Sequence, residues 1–391
     1  MRKIRAAILG AGFIGKAHIE AIRRLGFVDI VAVAQQDRNS AEETAAALHI
    51  PKAYGNYLDM LKDKEIDVVH NCTPNHLHYE TNRQVLLHGK HLLSEKPLTL
   101  TSAEAKDLYQ LAEQKDLVTG VHFNYRQFPM VQHLRGMVQD GELGDIRVVR
   151  GHYLQDWLLY ETDYNWRIEP VYGGATRAIG DIGSHLYDLS QYVSGLRISE
   201  VLTDMSTVIP MRYKPVKGSA TFDSGSAERG EPVAIRTEDY CSILVKFDNG
   251  ARGVFTVSQV SAGNKNALEL TLDGSLASGS WKQEEPFRLM IGYRDRPGET
   301  VRRDPSLLKK EALPYVHYPG GHEEGWTDSL KNMMQQFYEA VRDGRKPSNS
   351  VASFREGYQI MLIIDAVLKS ARTGTWEKVE PAGAGSRAAI L

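Results

Sequence analysis

Ile4-Arg5-Ala6-Ala7-Ile8-Leu9-Gly10-Ala11-Gly12-Phe13-Ile14-Gly15 opens the chain with a short apolar run that leads straight into G-x-G-x-x-G. The residues beyond it, Phe13, Ile14, Ala17, Ile19, Ala21, Ile22 and Leu25, have the spacing of a helix. Strand, glycine turn and helix in that order suit a pyrophosphate. The glycines allow a tight turn and close approach, and the helix N-terminus offers free N–H groups and a favourable dipole. No Gly-Lys-Ser/Thr follows, which disfavours a phosphate-loop NTPase. Gly10, Gly12, Phe13 and Ile14 are therefore expected at a dinucleotide.

The same alternation continues outward from the motif. Ile30 to Ala34, Ile66 to Cys72, His91 to Leu93 and Leu117 to Phe123 read as buried strands. Helices are expected from Ser40 to about Leu48, over 77–88, and from Thr101 or Ser102 to about Gln114. This pattern predicts a doubly wound parallel sheet of the Rossmann type. After Tyr125 the texture changes to a helix near Pro129 to Asp140. Strands then follow at Ile146 to Tyr153, Val201 to Val208, Thr237 to Phe247, Gly253 to Val260 and Ala267 to Asp273. Asp248-Asn249-Gly250 and Asp273-Gly274 are hairpin signals, so a large, open, mostly antiparallel sheet is expected, with one face free for partners. Helices at Glu324 to Arg342 and Ser353 to Ala371 finish an α/β chain. The expected division is a Rossmann domain over 1–125, an α+β substrate-binding and oligomerisation domain over 126–380, and a disordered tail over 381–391. Residues 210 to 236, rich in Gly, Ser and Pro, are expected to form a mobile surface excursion.

Bulk properties narrow the class. A chain of 391 residues is too long for one ordinary core. With 42% hydrophobic and 25% charged residues it has the composition of a globular protein, and a formal charge of -2 gives no basic field for nucleic acid. No apolar run is long enough to span a bilayer, and the first residues read as a strand rather than a signal peptide. Two cysteines build neither a disulfide framework nor a multi-cysteine zinc site, so a cytoplasmic location is expected.

Ligands of an open parallel sheet sit beyond the carboxyl ends of its strands. Here those ends carry Thr73-Pro74-Asn75-His76-Leu77-His78, Ser94-Glu95-Lys96-Pro97 and Asn124-Tyr125-Arg126. Thr73, Pro74, Asn75, His78, Glu95, Lys96 and Asn124 are thus expected at the cofactor. Where an acid would mark a plain NAD site the chain has Gln35-Gln36-Asp37-Arg38. Gln35 stands at the strand end, Asp37 could reach a ribose 2′-hydroxyl and Arg38 a 2′-phosphate. NAD is the expected cofactor, with NADP not excluded. Gly180-Asp181-Ile182-Gly183-Ser184-His185-Leu186-Tyr187-Asp188 adds a carboxylate and an imidazole one helical turn apart, suited to general-base work, with Asp188 on the same face. The glycines flanking Asp181 imply close approach by another group. No metal is expected, because His76-x-His78 lacks a third ligand at helical spacing.

Together, the glycine-rich start, Cys72-Thr73-Pro74-Asn75-His76-Leu77-His78, Glu95-Lys96-Pro97 and Asp181-x-Gly-x-His185 resemble the Gfo/Idh/MocA family of nicotinamide-dependent oxidoreductases. The resemblance covers nearly the whole chain. It implies reversible oxidation of a sugar, glycoside or inositol hydroxyl, with Lys96, Asp181 and His185 as the catalytic set. His185 would take the hydroxyl proton as hydride leaves for the nicotinamide, and Lys96 would stabilise the same oxygen. Pro97 would follow a cis peptide, and Glu95 would hold the loop or lie near the nicotinamide. The family implies a homodimer or homotetramer formed through the open sheet. Polar and aromatic residues suited to a polyol are Tyr125, Arg126, Asp156, Trp157, Trp166, Arg167, His322 and Trp326, with Trp166 and Arg167 also expected near the cofactor. Two other readings stay open: a glycoside-cleaving enzyme that oxidises its substrate transiently, and a cofactor-binding sensor without catalysis.

Overall fold

The computed structural model describes residues 2–215 and 230–383. Its first part runs β1 (Ile4–Leu9), α1 (Phe13–Arg23), β2 (Val28–Ala34), α2 (Arg38–Ala47), β3 (Lys52–Tyr54), α3 (Tyr57–Leu61), β4 (Val68–Asn71), α4 (His78–Leu87), β5 (His91–Ser94), α5 (Ser102–Gln114) and β6 (Thr119–Val121). The strands form one sheet in the order β3-β2-β1-β4-β5-β6, every pair parallel. Ala6, Ala7, Ile8 and Val33 are wholly buried, as a sheet covered on both faces requires. The order reverses between β1 and β4, where such sheets open a crevice for ligands.

The second part contains α6 (Pro129–Gln139), β7 (Ile146–Leu154), α7 (Pro170–Gly173), α8 (Ser184–Ser194), β8 (Ile198–Ser206), β9 (Met211–Tyr213), β10 (Pro232–Ala234), β11 (Tyr240–Phe247), β12 (Arg252–Ser258), β13 (Ala267–Gly274), β14 (Ser278–Lys282), β15 (Arg288–Gly292), β16 (Glu299–Arg302), α9 (Trp326–Asp343), α10 (Phe354–Thr373) and β17 (Glu377–Lys378). Nine strands pair in the order β16-β15-β14-β13-β7-β12-β11-β8-β17, and only β7 and β12 run parallel. Helices α6, α8 and α10 pack against one face. The other face leaves Leu244 and Val254, which are register partners, 47% and 40% exposed. Helix α9 returns to the first sheet and packs on α1, so that Leu330, Met333, Phe337 and Tyr338 share a core with Ile8, Ile19 and Val33.

Several expectations change. Helix α2 is capped by Asp37, whose carboxylate accepts from the backbone N–H of Ser40, so Ser40 is the donor to the cap rather than the cap. Around the 210–236 excursion, β9 and β10 pair antiparallel, and Arg212 is buried against Asp239 at 3.0 Å. Those ends are anchored; residues 216–229 lie outside the described residues, as do 384–391 of the expected tail. Within that tail, Ala382 is buried and its carbonyl accepts from Arg355. The short strands β14 to β16 were not expected: β14 and β15 alternate over only five residues each, and β16 is an exposed, charged edge with little alternation.

Arg126 is a structural residue, contrary to the substrate role expected of it. It is 3% exposed and grips Asp188 through Nε at 2.8 Å and Nη2 at 2.5 Å, with the Asn349 carbonyl at 2.9 Å. Asp188 is therefore not a partner of His185. A buried guanidinium is stable only when paired, and this pair joins the start of α6 to α8. Burial raises the Asp188 carboxyl to about 6 in spite of Arg126, so the carboxylate depends on that cation. Replacing Arg126→Met should cost about 3–5 kcal/mol of unfolding free energy, read by urea denaturation at neutral pH.

Candidate active site

The glycine turn is built for close approach. Gly10 has φ +79°, and a Cβ there would lie 2.8 Å from the Cys72 carbonyl, while one on Gly15 would lie 2.1 Å from the Gly10 carbonyl. A Cβ on Gly12 would meet nothing within 4 Å, because that position faces open space. Gly10, Gly12, Phe13 and Ile14 line one end of a cavity of about 1220 Å³ at the crevice of the parallel sheet. The volume and the bare glycine turn fit a dinucleotide with a small substrate beside it. Gln35, Gln36 and Ser40 line the same end, and Gln35 accepts from the backbone of Ala11 at 3.4 Å. Asp37 and Arg38 do not line it: Asp37 is spent on capping α2, and Arg38 pairs with Glu42 at 2.6 Å. The ribose-reading roles considered for those two are thus taken up by local contacts.

The loops after β4 and β5 form the middle of the cavity. His78 sits between the carbonyls of Pro97 at 2.7 Å and Thr73 at 2.9 Å, tying both loops together. Thr73, Pro74, Asn75, His78, Glu95, Lys96 and Asn124 all line the cavity. The Lys96–Pro97 peptide is cis. Beneath it, Glu95 accepts from His18 at 3.0 Å and His122 at 2.7 Å, in a buried cluster that continues to His70 and Tyr338. His122 and its neighbours were missed from sequence because three histidines on separate elements share no spacing.

Lys96 reaches across to the second part. Its ammonium donates to the Asp181 carboxylate at 2.8 Å and to the Asp181 carbonyl at 2.9 Å. Asp181 lies in a π-helical turn, Ile179–Gly183, that precedes α8. The turn is pinned where Glu238 accepts from the backbones of Arg177 and Ile179, both at 2.8 Å. The glycines flanking Asp181 make room for Thr176 and Tyr187 of the same segment, rather than for a ligand. The carboxylate also accepts from Gln259 at 3.0 Å and faces Arg167 at 3.7 Å. Burial would raise Asp181, but Lys96 and Arg167 outweigh it and hold the carboxyl at about 2.

His185 follows one turn later, 7% exposed, with its Nδ1 buried and unpartnered. Asp181 makes no hydrogen bond to His185, since its carboxylate goes to Lys96 and Gln259. Instead aromatic rings hold the imidazole: Tyr125 at 4.8 Å and Phe123 at 5.5 Å between centroids. Burial first, then the Lys96 charge, keep it well below the usual histidine range, so it stays neutral.

The far wall contains Tyr125, Tyr153, Gln155, Trp157, Trp166, Arg167, Lys265, Asn266 and Trp326. Tyr125 and Tyr153 share a 2.6 Å hydrogen bond, and Asn266 contacts both hydroxyls. Trp326 stacks on Phe13 with centroids 6.0 Å apart. Of the expected substrate residues, Asp156 lies outside the lining and binds Lys265 at 2.8 Å. His322 is exposed and also outside it, because its segment turns outward where the buried Arg303 pairs with Glu324. Tyr153 and Asn266 come from neighbouring strands β7 and β13 and its approach, a pairing no local motif announces.

The profile described as oxidoreductase family, NAD-binding Rossmann fold, matches residues 4–123, and the GFO/IDH/MocA C-terminal domain profile matches residues 131–278. The chain belongs to the Gfo/Idh/MocA oxidoreductase family. It is similar to a levoglucosan dehydrogenase of Pseudarthrobacter phenanthrenivorans, 29% identical over 97% of this chain and 99% of that one. A levoglucosan dehydrogenase solved with NADH and L-sorbose superposes with a TM-score of 0.88 at 28% identity, covering 97% of this chain and all of that one. An inositol dehydrogenase homolog of Azotobacter vinelandii, solved with NAD+, gives 0.85 at 25% identity over 96% and 97%. Among the described residues no helix is long and apolar enough to cross a membrane.

His18, held at about 4, and His70 and His185, both lowered by burial, exclude protons in the folded state. The unfolded chain protonates them near the ordinary histidine pKa, so it binds more protons as pH falls and folding loses stability. Between pH 7 and pH 5 the urea midpoint should drop, at about 2 kcal/mol for each histidine whose proton is fully excluded. A midpoint unchanged over that interval would contradict this.

Proposed function

We propose that the protein is an NAD-dependent dehydrogenase that oxidises a secondary hydroxyl of a carbohydrate: a sugar, a glycoside or an inositol. The observation that carries this reading is the convergence of Lys96, Asp181 and His185 on one wall of the cavity whose other end is the glycine turn. When bound, NAD supplies the hydride acceptor. Gly10 and Gly12 leave room for its pyrophosphate at the N-terminus of α1.

In this reading the neutral imidazole of His185 takes the hydroxyl proton, which a histidine kept below the usual range is free to accept at neutral pH. The Lys96 ammonium lies where it can hydrogen-bond the same oxygen and stabilise its developing negative charge. Asp181 orients Lys96 rather than His185, because its oxygens go to Lys96 and Gln259. Tyr153, Gln155, Asn266 and Lys265 offer hydroxyl, amide and ammonium groups to a polyol, while Trp157 and Trp166 offer ring faces to its C–H surface. Relatives named for levoglucosan, D-apiose and glucose-6-phosphate support a carbohydrate substrate.

The proposal includes two domains that meet near residue 125, a cytoplasmic location consistent with two unpaired buried cysteines, and an oligomer formed through the open face of the nine-stranded sheet. Leu202, Leu244 and Val254 lie side by side on that face, an apolar strip suited to a second copy.

Screening free sugars, inositols and glycosides with NAD and NADP, by nicotinamide absorbance, tests the reaction. Net reduced cofactor supports it, and product formation without net reduction points to transient oxidation instead. Lys96→Ala and His185→Ala should each lower kcat by about 10²–10⁴-fold while cofactor still binds; near-normal turnover in either sinks the assignment. In light scattering, the double variant Leu244→Lys and Val254→Lys should shift the oligomer towards monomer, and an unchanged mass would exclude this face.

A further inference from the structure

Five side chains of the cavity's far wall form one run of hydrogen bonds, and its direction is fixed at one end. Trp157 supplies an indole N–H, which only donates, and Gln155 Oε1 accepts it at 2.9 Å. The Gln155 amide therefore turns its Nε2 the other way and donates to Asn266 Oδ1 at 3.1 Å. The Tyr153 hydroxyl donates to the same oxygen at 2.5 Å. With Oδ1 so occupied, Asn266 Nδ2 faces Tyr125 and donates to its hydroxyl at 3.0 Å. The 2.6 Å contact between the tyrosines is left for the Tyr125 proton, because Tyr153 has already given its own. Reversing either amide would set donor against donor, so a single indole N–H settles both orientations.

The backbones that carry the two amides are themselves tied down. Gln155 donates to the Ser258 carbonyl at 2.8 Å and accepts from Ser261 at 2.9 Å, and the Asn266 N–H meets the Glu284 carboxylate at 2.7 Å. Burial raises Tyr125 and Tyr153 above the usual tyrosine range, so both keep their protons at neutral pH. Those protons are spent inside the run, and neither tyrosine has a hydrogen to give a ligand. A side-chain amide carries two N–H groups. Asn266 spends one on Tyr125, and the other has no partner among the described residues. Gln155 has a spare N–H too, but it is buried, whereas Asn266 is half-buried on the cavity wall. The run lies beside the proposed base, since the Tyr125 and His185 ring centroids are 4.8 Å apart.

We propose that Asn266 reads the substrate on this wall, donating its second amide N–H to a carbohydrate oxygen in an orientation that the Trp157 indole N–H sets through Gln155. Tyr125 and Tyr153 take part as hydrogen-bond acceptors alone. The inference rests on the carbohydrate reading above and deepens it by assigning which groups of the wall give hydrogens and which receive them. A hydroxyl, acetal or ether oxygen satisfies Asn266, whereas the tyrosine oxygens require an O–H from the ligand. Through its N–H, Trp157 is a positioning residue, as is Gln155.

Steady-state kinetics on Trp157→Phe, Asn266→Ala and the double variant test this. The probe is the compound that wild type oxidises fastest with NAD, from a set of free sugars, inositols and glycosides headed by D-glucose, myo-inositol and methyl β-D-glucopyranoside. Trp157→Phe keeps an aromatic face but loses the N–H, which frees both amides to turn. It should raise KM for the probe by about threefold to tenfold, more than it lowers kcat, while the NAD+ dissociation constant changes less than about twofold. Added to Asn266→Ala, the same change should raise KM less than about 1.5-fold further, because the indole then has no amide to orient. An equal rise in both backgrounds overturns the proposal, as does no rise in Trp157→Phe alone. Should Asn266→Ala fail to bind NAD+, Asn266→Ser replaces it in the cycle under the same criteria. Wild type that reduces NAD with no carbohydrate overturns the functional reading itself, whereas turnover with an unaltered KM in Trp157→Phe overturns the role of Asn266 alone.

Discussion

The 2.8 Å ion pair between Lys96 and Asp181 is the contact on which the site depends. It joins a loop from the parallel sheet to a turn before α8, two segments 85 residues apart in the chain. Each partner is 15% exposed, so the charges are partly desolvated and neither could be left alone without cost. The cavity lies between the parts that this pair connects. Behind it, rigid supports hold both ends: His78 clamps two loops on one side, and Glu238 pins the Asp181 turn on the other.

Other buried pairs place charges inside the second part. Arg126 with Asp188, Arg177 with Asp239, and Arg303 with Glu324 are all nearly inaccessible, and all join segments distant in sequence. A buried pair contributes little net stability over an apolar contact of equal volume, but breaking one is expensive. These pairs therefore fix the segments of the second part relative to one another. Glu95 departs from that rule: its partners are imidazoles and a backbone amide, and it borders the cavity rather than the core. Helix α9 supplies the last link of its hydrogen-bond chain, which ties cavity chemistry to a helix near the other end of the chain.

Several of the expected residues that line the cavity stand just after a buried strand or within a glycine turn. Gly10, Thr73, Glu95, Lys96 and Asn124 all line the cavity because an open parallel sheet presents those positions together. Misplaced residues were those whose chemistry could be satisfied locally. Asp37 caps a helix, Arg38 pairs four residues on with Glu42, and Arg126 finds Asp188 beneath it. A charged residue near a motif is an equally good cap or buried partner, and residue type does not distinguish these.

The sequence by itself determined the alternation of strands and helices, the glycine turn, and the strand ends that hold Lys96 and its neighbours. Hydrophobic periodicity and backbone freedom are local, so a linear reading recovers them. Only the tertiary structure decided that Asp181 pairs with Lys96 rather than His185, that aromatic rings surround the imidazole, and that Tyr153 of β7 meets Asn266 just before β13. It also decided that His18, His70 and His122 gather around Glu95. Those outcomes depend on which side chains reach one another first across a folded interior, and on the requirement that every buried charge and donor find a partner there.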